Sequence, residues 1–207
     1  MSEELFFTIV FIATGFAILP FLLILFFSFF KRKLEKILVL ISIVEFLTAS
    51  SNLFIHYARI GFYQEQFFLY YFIEIIIWLY ILNKYYINWR LTTLIVLSLI
   101  TFLFIFTPEW SFTSFELASK VLQLLLGLFM FHAHFKDVSV SQLRNNLILT
   151  SIGILVYSFL NINLFLFKNV LNELNLNDFS LTWLIHQIAA VIYFTLLSIN
   201  IWKNQRI

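Results

Sequence analysis

Glu45, Asn52 and His56 fall within a single apolar run, ILVLISIVEFLTASSNLFIHY, from Ile37 to Tyr57. At about 100° per residue, the seven- and eleven-residue steps from Glu45 each miss a whole number of turns by about 20°. A helix therefore sets all three side chains on one face. A carboxylate, an amide and an imidazole in that register can hold a proton, a polar ligand or a metal ion. Glu74, in YYFIEIIIWLY, supplies a second carboxylate with Tyr70 about one turn away. Lys120 and Gln123 share a stripe with Glu116, Gly127, Met130 and His134 at three- and four-residue steps, which is one helical face. A third stripe holds Thr182, His186, Ala190, Tyr193, Leu197 and Asn200, with Trp183 beside His186. Tyr157, Ser158 and Asn161 share a flank of another apolar run.

Several chemistries are open to these groups. His56, His186 and Glu45 could hold zinc with one position left for water, and Glu74 would then be the general base of an intramembrane hydrolase. His56 and His186 could instead ligate haem as a pair. No spacing motif favours either, so no cofactor is expected. His132 and His134 put their rings about 200° apart on a helix and cannot share one metal without distortion. With no cysteine, disulfides, thiolate metal sites and cysteine nucleophiles are excluded. The plain alternative is structural: Glu45 or Glu74 with Lys120 forms a buried ion pair that fixes helix packing. Lys120 could also turn to Glu116 and snorkel outward, leaving both acids without it.

The elements that position these groups follow from composition. The chain of 207 residues is 62% hydrophobic and 12% charged. Its mean hydropathy is +0.95. A soluble domain carries about 25% charged residues, so this chain lacks the polar residues for a solvated surface. The class is all-α, a polytopic membrane protein. A net charge of +2, with basic residues in short clusters beside apolar runs, argues against a nucleic-acid partner. Seven segments reach the roughly 20 apolar residues that span a bilayer or come near it. They are 5–30, 37–57, 66–84, 91–107, 116–135, 146–167 and 180–202, in a single domain covering 1–207. The first follows Glu3 and Glu4 and is too long for a secretory signal, so a retained helix is expected.

Short cytoplasmic loops are enriched in Lys and Arg. Lys31, Arg32, Lys33 and Lys36 in KRKLEK, then Lys84, Arg90, Lys136, Arg144, Lys203 and Arg206, all fall on one side of a seven-span layout. Arg59 and Lys168 fall on the other. The N-terminus is thus expected outside and the C-terminus in the cytoplasm. In that frame Glu45, Asn52, His56, Glu74, Lys120, Gln123, Asn161 and His186 lie between mid-bilayer and the outer face. An outward-open polar cavity is the expectation, with Glu45 as its floor and His56 at its mouth.

Seven helices with an outside N-terminus resemble rhodopsin-like receptors in layout alone. The seventh helix has no mid-membrane lysine, only Lys203 at its end, which excludes a microbial-rhodopsin Schiff base there. DRY-like, NPxxY-like and Pro-Gln motifs are absent. Membrane zinc hydrolases of the ceramidase and progestin-receptor type carry a late histidine pair one turn apart. Here His186 is followed by Ala190, which breaks that pair. VEFLTASSN with Glu45, YYFIE with Tyr70, Tyr71 and Glu74, and WLIH with Trp183 and His186 resemble a group of small seven-helix bacterial inner-membrane proteins that has no named activity. The resemblance implies a multi-pass inner-membrane location.

Three functions compete on this reading. A sensor or binding protein would take a small ligand or protons from outside and signal to a cytoplasmic partner at the Lys31–Lys36 loop or the short tail. A proton-coupled transporter would need water access from both sides, and few Gly or Pro residues are available to break helices. The zinc hydrolase is the third.

Overall fold

A computed structural model describes residues 3–29, 35–58, 64–106, 112–136, 147–173 and 179–204. Among the described residues there are seven helices and no strand: α1 (Glu3–Phe29), α2 (Lys36–Ala58), α3 (Gln64–Tyr85), α4 (Trp89–Phe106), α5 (Phe112–Lys136), α6 (Ile148–Glu173) and α7 (Phe179–Lys203). The longest departure from the sequence reading is α6, expected to end at Phe167 but continuing to Glu173. Hydropathy marks where the apolar layer ends, whereas a helix ends where its backbone is broken or capped. Lys168 to Glu173 contains neither Gly nor Pro to break it. α5 likewise starts at Phe112, four residues before the expected Glu116.

Three stretches among the described residues are long and apolar enough to cross a membrane: Phe11–Phe29, Phe115–Phe135 and Leu184–Lys203. Shorter apolar stretches lie in α4 (Trp89–Leu99) and α6 (Ile148–Leu164). The distribution of surface matches that environment. Large apolar side chains such as Phe11, Leu22, Phe29, Leu94, Phe135 and Phe159 face outward, while Glu45, Glu74, Lys120 and Gln123 are buried. Charges inside and apolar rings outside would be unfavourable in water and suit a lipid surround. The fold fits an integral membrane protein.

The helices close into a ring. α1 packs on α2 and α7, α7 on α6, α6 on α5, and α5 on α3. α2 meets α3 and α7 only sparsely, and α4 stands at the periphery with sparse contacts to α3 and α5. The tightest part is α5–α6–α7, where small residues let backbones approach. A Cβ on Gly127 of α5 would lie 2.9 Å from Ile154 Cγ2 of α6. On Gly153 of α6 it would lie 3.0 Å from Tyr193 Cδ2 of α7. A polar pair locks the α6–α7 side, where Asn200 Nδ2 donates to Thr150 Oγ1 at 2.5 Å, and at the end of α7 Asn204 Nδ2 donates to Asn200 Oδ1 at 2.8 Å. At that end of the bundle the Phe27 and Trp202 rings meet edge-on, which ties α1 to α7. The turn from α3 to α4 is short because Asn88 caps α4, its Oδ1 accepting from Leu91 N at 2.9 Å.

Candidate functional site

The stripes on α2, α3, α5 and α7 converge because each helix turns its one polar face inward. Glu45 of α2 is the hub. Its Oε1 accepts from Gln123 Nε2 of α5 at 2.8 Å and from Tyr193 Oη of α7 at 2.9 Å. Glu45 is 1% exposed and Gln123 and Tyr193 are 0% exposed, so water does not replace these donors. One oxygen thus joins three helices.

One turn of α5 away from Gln123, Lys120 serves the second acid. Its Nζ lies 3.5 Å from Glu74 Oε1 of α3, with both side chains buried. The Trp78 indole, one turn further along α3, donates to the same Oε1 at 3.2 Å. Lys120 Nζ also lies 5.2 Å from the centre of the Tyr157 ring of α6, within cation–π range. Tyr157 stacks on Tyr193 with centroids 5.3 Å apart, and this closes the circuit back to the Glu45 hub. Lys120 is therefore not snorkelling outward with Glu116 as its sole partner.

Beside this circuit lies a second pair. His186 Nδ1 is hydrogen-bonded to Asn161 Oδ1, and Asn161 Nδ2 donates to the Tyr157 carbonyl at 2.7 Å. An amide whose nitrogen is occupied this way offers only its oxygen, so His186 Nδ1 carries the hydrogen. The His186 ring leans on Tyr157 with centroids 5.7 Å apart. The pair is thereby attached to the same aromatic wall as Lys120.

Four acceptors or hydroxyls within or beside the circuit have no partner among the described residues. These are Glu74 Oε2, Gln123 Oε1, Ser119 Oγ and Ser158 Oγ. Each buried unmet group costs about 1–3 kcal/mol. Two of the unmet groups are acceptors, Glu74 Oε2 and Gln123 Oε1, and two are hydroxyls that can also donate, Ser119 and Ser158. The circuit sets two carboxyl groups, Glu45 and Glu74, beside one ammonium, Lys120.

Of the residues expected from sequence, Glu45, Glu74, Lys120 and Gln123 form one connected group, and Asn161 with His186 adjoins it through Tyr157. Asn52 and His56 of α2 and Trp183 of α7 lie, as side chains, outside the described residues. Among the described residues no three His, Asp or Glu side chains converge to hold a metal ion. A cleft of about 360 Å³ lies elsewhere, between α4 and α5, lined by Leu94, Ile95, Ser98, Leu99, Val121 and Leu125. Sequence reasoning did not name Trp78 as a partner of Glu74. The four-residue spacing that puts both on one face of α3 was its signal. No known protein-family model matches the chain, and neither a curated protein nor a solved structure matches it.

Proposed function

We propose that this chain is a seven-pass inner-membrane protein, N-terminus outside and C-terminus cytoplasmic, that binds a small ligand or a proton at the Glu45–Glu74–Lys120 circuit. Binding is passed through α2 to a cytoplasmic partner at the Lys31–Lys36 loop. The observation that carries the reading is the hub: a single carboxyl of α2 holds donors from α5 and α7 in a circuit with two carboxyl groups and one ammonium. A cation, a protonated ligand or a proton is the partner that the carboxyl without an ammonium of its own would take. Whichever it is, Glu45 changes its hold on Gln123 and Tyr193. α2 packs on α1 and meets α3 and α7 only sparsely, so the Glu45 hub is the polar contact through which it is held to α5 and α7. A ligand moves such an equilibrium only by its differential affinity for the two arrangements, and the hub supplies that difference.

The seven-pass layout and its orientation are supported by the one-sided placement of Lys and Arg. Binding is preferred to passage across the membrane because Trp78, Ile81, Leu82, Leu126 and Leu197 are fully buried between the circuit and the ends of the helices at the Lys36 side. Infrared difference spectroscopy on the protein in proteoliposomes tests the assignment. Acidification or ligand addition should change a buried carboxyl band that disappears in Glu45→Gln. A difference spectrum identical in the variant overturns it.

A further inference from the structure

α4 stands off the bundle, and the space it leaves is neither polar nor closed. The cleft between α4 and α5 is lined by Leu94, Ile95, Ser98 and Leu99 on one side and Val121 and Leu125 on the other. Its apolar walls face the layer that acyl chains occupy on the membrane-spanning reading. One end of it is charged. Arg90 lies four residues before Leu94, one turn towards the start of α4 and about 40° round the helix from it, so it stands at the Leu94 rim of the cleft, about 110° from the middle of the α4 lining. On α5, which runs antiparallel to α4, His132 lies seven residues beyond Leu125 and eleven beyond Val121, on the cleft face. Arg90 and His132 are both exposed. The Arg90 guanidinium lies 5.7 Å from the Trp89 ring centre, a contact that leaves its edge free for a planar, two-oxygen partner.

We infer that this cleft is a binding site for one anionic phospholipid, with an acyl chain between α4 and α5 and the headgroup phosphate at Arg90 and His132. Charge complementarity selects that occupant. A neutral apolar ligand would use the walls and leave the Arg90–His132 mouth without a role, and a second protein helix would leave it facing apolar side chains. Arg binds phosphate through two parallel N–H donors, and the exposed imidazole across the mouth can donate a third. The site is separate from the Glu45 circuit and rests only on α4 and α5 lying in the membrane. It also accounts for the sparse packing of α4, which a bound chain would complete.

The test is native mass spectrometry of the full chain released from nanodiscs of equal phosphatidylglycerol and phosphatidylcholine. The expected result is one retained lipid, predominantly phosphatidylglycerol. Arg90→Gln should lower the preference for phosphatidylglycerol about fivefold, the weight of one basic side chain against anionic headgroups. Ser98→Trp, which fills the cleft from an exposed position, should abolish the retained lipid. A lipid that survives Ser98→Trp, or a headgroup preference unchanged in Arg90→Gln, overturns the site. Alkaline carbonate extraction of the same membranes keeps the two readings apart. Release into the supernatant overturns membrane spanning itself, whereas an inserted protein that retains no lipid overturns the lipid site alone.

Discussion

Tyr193→Phe removes one oxygen from the centre of the bundle and nothing else. The ring is fully buried, stacks on Tyr157 at 5.3 Å, and donates to Glu45 Oε1 at 2.9 Å. Phenylalanine keeps the stack and leaves a space smaller than a water molecule, so the packing loss is minor and the hydrogen bond decides the outcome. A bond to a charged acceptor contributes about 1.5–3 kcal/mol in soluble proteins. Interhelical bonds in membranes average nearer 0.6 kcal/mol, because the membrane-unfolded chain also finds partners. Glu45 retains Gln123 as a second donor at 2.8 Å, which softens the loss further. The expected destabilisation is therefore about 1 kcal/mol. The assay is reversible unfolding in mixed micelles, run as a double-mutant cycle with Glu45→Gln. If the hydroxyl acts through Glu45, Tyr193→Phe should cost clearly less in the Glu45→Gln background, since the two residues share one interaction. Equal cost in both backgrounds would refute the hub.

Lys120→Met should destabilise by about 3–5 kcal/mol, because it strands Glu74 without its counter-ion, and adding Glu74→Gln should recover much of the loss in the same unfolding assay. Raising the salt concentration should leave the stability contributed by the Lys120–Glu74 pair almost unchanged, since both side chains are buried from the ions that screen surface pairs. Gly127→Ala should cost about 1–3 kcal/mol by overpacking, since its Cβ would meet Ile154 Cγ2 at 2.9 Å and Leu155 Cγ at 3.0 Å. Gly15→Ala, where a Cβ meets nothing within 4 Å, serves as the control and should be neutral or slightly stabilising.

The inward faces were legible in the sequence because a helix in lipid has little reason to carry a polar residue except to meet another. The α5 stripe of Lys120, Gln123, Gly127 and Met130, and the α7 stripe of Ala190, Tyr193, Leu197 and Asn200, are the buried faces of their helices. Periodicity states which side of a helix is inward but not which helix it faces. It therefore could not pair Glu45 with Tyr193, 148 residues away, or choose between Glu74 and Glu116 as the partner of Lys120. Apolar patterning was equally silent on the role of Tyr157, whose ring serves as the wall between Lys120 and His186, because aromatic residues in such a chain look alike whether they pack or face lipid. The peripheral position of α4 was also hidden, since its sequence is as apolar as that of its neighbours.

The absence of cysteine in the chain makes the central claim directly measurable. Spin labels on Lys36→Cys at the start of α2 and Lys203→Cys at the end of α7 report the position of α2 against the tight α5–α6–α7 unit from two exposed sites. Electron–electron distance distributions in proteoliposomes, recorded as the outside is acidified and as sodium or ammonium is added, should shift in the otherwise native protein and stay fixed in Glu45→Gln. A distribution that never moves, or one that moves equally in Glu45→Gln, would contradict the account.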